Sequence, residues 1–189
     1  MANPDRPRGF RPIGNLYGAP YNGNTFKVAF GTGNSVATFI GDLVRLEGSS
    51  NAEGDPTVDQ FAQADTDAFG VIVAFEPDRT DLELKYRLAS TARNAYVVPC
   101  AQGQLFAVQD DGSGTPAADW IGNTVDIVVG AGNTTTGIST MELLGSDLGT
   151  GVNTHIMGLL KSPENSIADN AEWIVRINEN SFGGDGTAS

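Results

Sequence analysis

The sequence predicts an all-β protein, a single β-barrel or jelly-roll-like β-sandwich with an extended N-terminal arm. Three observations predict it. From Phe26 onward, short runs of Val, Ile, Phe, Leu and Tyr are separated by clusters of Gly, Asn, Asp, Pro and Ser, the pattern of strands and turns. Helix signals are confined to 163–171, where Ser162 is a cap, Pro163 takes the first position and Glu164 the first turn. The first 25 residues hold Pro4, Pro7, Pro12 and Pro20 together with Gly9, Gly14, Gly18 and Gly23, which resist both helix and central strand.

In chain order, strands are expected at 26–30, 36–46, 71–76, 82–88, 95–98, 104–109, 125–129, 137–144, 155–160 and 173–177. The clearest alternation is 82–88. It places Leu82, Leu84, Tyr86 and Leu88 on an inner face, with Glu83, Lys85 and Arg87 outward. Between 47 and 67 no basic residue occurs, whereas Glu47, Glu53, Asp55, Asp59, Asp65 and Asp67 do, and the Gly, Ser and Pro content reads as a long surface loop. The expected organisation is an arm at 1–25, a β domain at 26–178 and a flexible tail at 179–189.

Composition narrows the chemistry. With 189 residues, the chain buries a core without metal or disulfide support, and one Cys and one His exclude a disulfide framework and the usual zinc sites. The net charge of −12 disfavours nucleic acid, whose attraction comes from Lys and Arg displacing counterions. No apolar run approaches the ~18–20 residues of a membrane span, and 1–9 is polar and Pro-rich, so a soluble protein made in a cytosol, with no membrane partner, is expected.

Candidate chemical sites are weak. The acidic 47–67 loop and 110–114 lack the alternating ligands and closing Glu of an EF-hand calcium loop. The stretch 130–137 is Gly-rich, but no Lys follows and no helix start is signalled, so it reads as a hairpin turn. His155 and Cys100 read as structural, and neither a cofactor nor a metal is expected. Paired carboxylates for glycoside hydrolysis need only two of the 23 acidic residues, which the sequence gives no means of choosing.

Charge is unevenly placed. Residues 1–27 carry Arg6, Arg8, Arg11 and Lys27 against Asp5 alone, a net of +3, leaving −15 for the body. With Phe10, Ile13 and Tyr17 as apolar anchors and the three arginines as pairing groups, the arm is expected to leave the domain and lie on a neighbouring subunit or capsid surface. Deleting 1–25 is then expected to spare the fold.

Several stretches taken together resemble a family of structural proteins of tailed bacteriophages. They are Met1-Ala2-Asn3-Pro4-Asp5 through Gly9-Phe10-Arg11-Pro12, Gly18-Ala19-Pro20, the run 39–46, Gly70-Val71-Ile72-Val73-Ala74-Phe75-Glu76-Pro77, 86–93, 105–111 and 169–178. The resemblance implies a capsid decoration (cement) protein without enzymatic activity. It also implies the major capsid protein as partner, a homotrimer, and a place on the outer surface of the virion capsid. Alternatives are a minor capsid or head-tail adaptor protein, and a virion carbohydrate-binding or degrading β-sandwich.

Overall fold

In the computed structural model, which describes residues 3–101 and 103–182, the chain is all-β. Numbered along the chain, β2 (Phe26–Phe30), β3 (Leu43–Ser50), β4 (Pro56–Gln60), β5 (Ala68–Phe75) and β6 (Arg93–Pro99) close into a barrel in the order β2-β4-β3-β5-β6. A second sheet has the order β1-β7-β12-β11-β8. Its strands are β1 (Arg11–Asn15), β7 (Gln104–Gln109), β8 (Thr124–Val125), β11 (Thr154–Leu159) and β12 (Glu172–Ile177). The short β9 (Ile127–Val128) and β10 (Glu142–Leu143) pair beside it.

Strands β5 and β6 and the start of β3 are apolar on both faces because both faces are buried. Val44 of β3, Phe69 and Ile72 of β5 and Ala95 and Val97 of β6 fill the barrel interior with Val28, Phe30 and Val58. Their neighbours Leu43, Ala68, Val71 and Val98 point the other way, into a larger core shared with Phe106, Val108, Ile156, Trp173, Val175 and Ile177 of the second sheet. Period-two alternation therefore sends successive apolar residues to two different cores, and the strand reads as a continuous run. Trp120, from a 3-10 turn at Ala118–Trp120, stacks on Trp173 with ring centroids 5.4 Å apart.

The segment 82–88 is not the expected strand. It is a loop in which part of the predicted pattern is reversed: Leu82 and Leu88 are exposed, at 81% and 41%, and Arg87 is completely buried, whereas Glu83 and Lys85 are exposed and Leu84 and Tyr86 half-buried. Arg87 Nε donates to Thr91 O (2.8 Å), Nη1 to Val36 O (2.6 Å) and Nη2 to Gly31 O (2.9 Å) and Asn34 O (2.8 Å). Its guanidinium also lies 5.0 Å from the Phe30 ring centroid. One planar fork thus satisfies four carbonyls of irregular chain, which no apolar residue can do. Periodicity misreads the segment because it scores Arg as a surface residue.

Other boundaries shift for similar reasons. The acidic 47–67 region is largely the β3–β4 hairpin rather than a long loop, with Lys27 reaching Asp55 (3.1 Å), Glu53 (3.3 Å) and Glu76 (3.4 Å), and Arg45 reaching Asp65 (3.2 Å). The cations come from neighbouring strands, so local sequence hides the balance. The expected 125–129 strand splits at Asp126, whose Oδ1 accepts the Val152 and Asn153 amides, so β8 and β9 join different sheets. The 163–171 segment contains turns and no helix. At the expected tail, Glu179 O accepts the Ala68 amide at 3.2 Å, while 183–189 lie outside the described residues.

Replacing Arg87 by Met should lower the unfolding free energy by about 3–5 kcal/mol, since it strands buried carbonyls. Leu82→Asp should change it by no more than about 0.5 kcal/mol, because the side chain is already in solvent. Paired denaturant melts check the contrast, and equal effects would refute this account of the loop.

Candidate functional site

The arm is built into the body that it was expected to leave. Strand β1 pairs antiparallel with β7, Arg11 opposite Ala107 and Asn15 opposite Gln104, as an edge strand where Pro12 is tolerated. Phe10 is 1% exposed in the chain's own larger core and meets Phe106 edge-on at 6.5 Å. Ile13 is half-buried, and its carbonyl accepts the Tyr21 amide at 3.3 Å. Neither residue is the free anchor that composition suggested. The reason is proximity: the arm's apolar side chains find the open edge of their own sheet.

Backbone contact locks the arm where it crosses the turn before β3. Phe10 N donates to Gly41 O at 2.9 Å, and Gly41 N to Ile72 O at 2.8 Å. Gly9 (φ 62°) and Gly41 (φ 98°) both lie in the left-handed region. A Cβ on Gly9 would stand 2.5 Å from Gly41 O and 2.6 Å from Ser139 Cβ, and one on Gly41 would stand 2.6 Å from Arg8 O. Only glycine satisfies both the dihedral and the separation.

Two amide side chains fix the arm's start. Asn3 Nδ2 donates to Ser166 O (2.9 Å) and Asp169 O (3.0 Å), and Oδ1 accepts the Ser166 amide (3.0 Å). Gln109 Oε1 accepts the Arg6 amide (2.9 Å), while Nε2 donates to Pro4 O and Asn170 O, both at 2.7 Å. Sequence reading passed over both residues because uncharged amides carry no pattern. Their only signal was membership of stretches 1–5 and 105–111 that carried the family resemblance.

This anchoring leaves a cleft of about 320 Å³ between the arm and the loop connecting β11 to β12, lined among others by Arg6, Arg8, Arg11, Leu160, Glu164 and Glu172. The three arginines singled out from the sequence are thus brought to one place. Arg11 is held at 2.8 Å by Glu172 Oε1. Arg6 and Arg8 are exposed, and their guanidinium groups have no ion pair or hydrogen-bond partner among the described residues. Tyr17 stands apart at the tip of the turn after β1, 85% exposed, where Asn15 Oδ1 accepts the Tyr17 amide at 2.9 Å and stiffens the turn.

The residues considered for chemistry are bonded or buried within the body. Asp110 is fully buried: Oδ2 accepts Trp173 Nε1–H (3.0 Å) and the Ala171 amide (2.8 Å), and Oδ1 accepts the Gly112 and Asn170 amides (3.0 Å each). His155 Nε2 lies 3.0 Å from Gly122 O. Burial pushes the Cys100 thiol far above its ordinary value. The Gly-rich stretch is a turn, closed by Gly137 N donating to Asn133 O at 2.7 Å. Among the described residues, no group of three or more His, Cys, Asp or Glu is placed to hold a metal ion.

Two carboxyls near the arm are held out of their usual range. Asp42 is completely buried beside the Gly9–Gly41 crossing, its Oδ2 accepting the Phe39 amide and Gln60 Nε2–H, both at 2.9 Å. Burial lifts it from 3.8 to about 6, outweighing those bonds. Glu142 rises to about 7 through burial, with Asp5, Asp111 and Asp110 adding repulsion. Comparison with protein families, with characterised proteins and with solved structures finds no match.

Changing Gly9 to Ala should cost about 2 kcal/mol or more, from the dihedral and the overlap together. Deleting 1–25 should destabilise the body rather than spare it, since losing Phe10 alone costs about 3–5 kcal/mol. An unchanged melting temperature in either variant would overturn the locked-arm account.

The carboxyls set a pH dependence. Asp42 binds its proton more tightly in the folded chain, near 6, than in the unfolded one, near 3.8. Stability therefore rises as pH falls from about 7.5 through 6, and Glu142 acts in the same direction. The melting temperature should be higher at pH 5.5 than at 7.5, and Asp42→Asn should narrow that gap by raising the pH 7.5 value. A steady fall in stability over the same interval would refute it.

Proposed function

We propose that this chain is a bacteriophage capsid decoration protein, which binds the outside of the major capsid protein lattice and stabilises the head without a chemical step. The observation that carries this reading is the division of labour among its side chains. Cys100 is buried, and His155, Asp42 and Asp110 serve internal bonds, while outward-facing arginines and an exposed aromatic are presented along one rigid arm. The family resemblance of the sequence, which covers nearly the whole chain, supports the same conclusion.

The mechanism follows from rigidity. An arm already ordered on its own body contributes contacts to a shell without the ~1–2 kcal/mol per residue of backbone ordering that a floppy arm loses on docking. Arg6 and Arg8 are exposed guanidinium groups suited to carboxylates of a shell surface, and Tyr17 adds a large, stiff side chain of the type enriched in interfaces.

Co-sedimentation of the purified protein with expanded shells of the cognate major capsid protein tests the proposal. The wild-type chain should saturate the shells and raise their disruption temperature. Arg6→Glu with Arg8→Glu, or Tyr17→Ala, should weaken attachment about tenfold or more while leaving the protein's own melt within a degree or two. Failure of the wild-type chain to bind such shells would defeat the reading.

A further inference from the structure

The tip of the loop between β5 and β6, with the exposed Arg79 and Lys85 set back on either side of it, carries an apolar side chain between two carboxylates. There Leu82 is 81% exposed and flanked by Asp81 and Glu83, both exposed. It is a stiff protrusion. Asp78 Oδ1 accepts the Thr80 (2.7 Å) and Asp81 (3.1 Å) amides, and Asp81 Oδ1 accepts the Glu83 amide (3.0 Å). Beneath it, Arg93 donates through Nε to Glu76 O (3.0 Å), through Nη2 to Leu84 O (2.9 Å), and through Nη1 to Tyr86 O. An aliphatic side chain is therefore held in solvent between two carboxylates by bonds to the chain on both sides of it.

The cleft has matching features. Its wall includes Leu160 and Pro4, its rim carries Arg6 and Arg8, and its volume of about 320 Å³ suits side chains rather than a folded element. Glu172 in the same cleft is taken up by Arg11, and Glu164 also lines it, while Arg6 and Arg8 have no ion pair among the described residues and the cleft keeps an excess of positive charge. We propose that the Asp81-Leu82-Glu83 loop of a second copy of this chain docks in the cleft, with Leu82 against Leu160 and Pro4 and its flanking carboxylates on Arg6 and Arg8. Charge complementarity together with an exposed apolar tip selects this occupant. Because loop and cleft are different surfaces, the contact is head-to-tail, and a rotation that closes generates a ring. The inference concerns contacts between copies and does not depend on the proposed function; a docked loop would occupy Arg6 and Arg8, so a second copy and a shell compete for the same arginines.

Sedimentation equilibrium of the free protein from micromolar to millimolar concentration is the test. Reversible self-association is expected in 50 mM salt, weakening about tenfold or more by 500 mM as the charge pairs are screened. Arg6→Glu with Arg8→Glu should remove it, and so should Asp81→Lys with Glu83→Lys. An equimolar mixture of the two variants should associate again, since each keeps the half that the other lacks. Both pairs of substitutions are at exposed positions, and circular dichroism melts should confirm unchanged folding. A wild-type chain that stays monomeric at 1 mM in low salt, association that persists in either variant, or a mixture that stays monomeric would overturn the proposal. Shell binding by a strictly monomeric protein would leave the decoration reading standing and this one refuted.

Discussion

The architecture depends on one backbone crossing. Where the arm passes over the turn at 39–42, Gly9 and Gly41 come so close that neither has room for a Cβ, and the Phe10 amide bonds the Gly41 carbonyl. Everything the arm does follows from that contact. It drops Phe10 into the core between barrel and sheet, launches β1 along β7, and places Arg6, Arg8 and Arg11 beside the loop that connects β11 to β12. The same turn carries Asp42 and leads into β3, so the crossing ties the second sheet to the barrel through main-chain atoms. Asp42 is the cost of that arrangement, a buried carboxylate that the fold tolerates at neutral pH and accommodates better when protonated.

The barrel and sheet stabilise one another because strands β5 and β6 and the start of β3 have no wet face. Residues facing inward close the barrel, and their sequence neighbours facing outward make the floor of the second core. Neither core is a separate module, so a change in register of one strand would misplace side chains in both. This shared construction explains how two small sheets and a five-stranded barrel hold together in a chain with a single cysteine.

The fold class was legible in the sequence because strand runs and turn residues are local signals: β2 and β7 lie where the apolar runs place them, and β6, β11 and β12 differ by a few residues at their ends. Long-range satisfaction was not legible. Arg87 alternates perfectly with leucines in the sequence, yet its role is set by carbonyls at 31, 34 and 36, more than 50 residues away. Likewise the arm reads as detached because Pro and Gly suppress local structure, whereas Gln109 and Gly41, distant in sequence, hold it down. Of the site, the three arginines were visible as a charge cluster. Their convergence on a cleft was not, since the opposite wall comes from residues about 150 positions away.

The allocation of cations in so acidic a chain separates scaffold from surface. Arg87 and Arg93 give up their guanidinium groups to main-chain carbonyls, and Lys27, Arg45 and Arg11 neutralise carboxylates that the fold brings beside them. Each fixes irregular chain or quiets a cluster of negative charge that would otherwise strain the barrel rim. Arg6 and Arg8 do neither, although Asp5 is next in sequence and acidic surface is plentiful. Their main chain is held at Gln109 and at the Gly41 crossing, which fixes where the two side chains emerge. Arg79 and Lys161 are likewise exposed without an ion pair among the described residues, so what sets Arg6 and Arg8 apart is that they line one cleft with Arg11, gathering positive charge on the arm of an acidic chain.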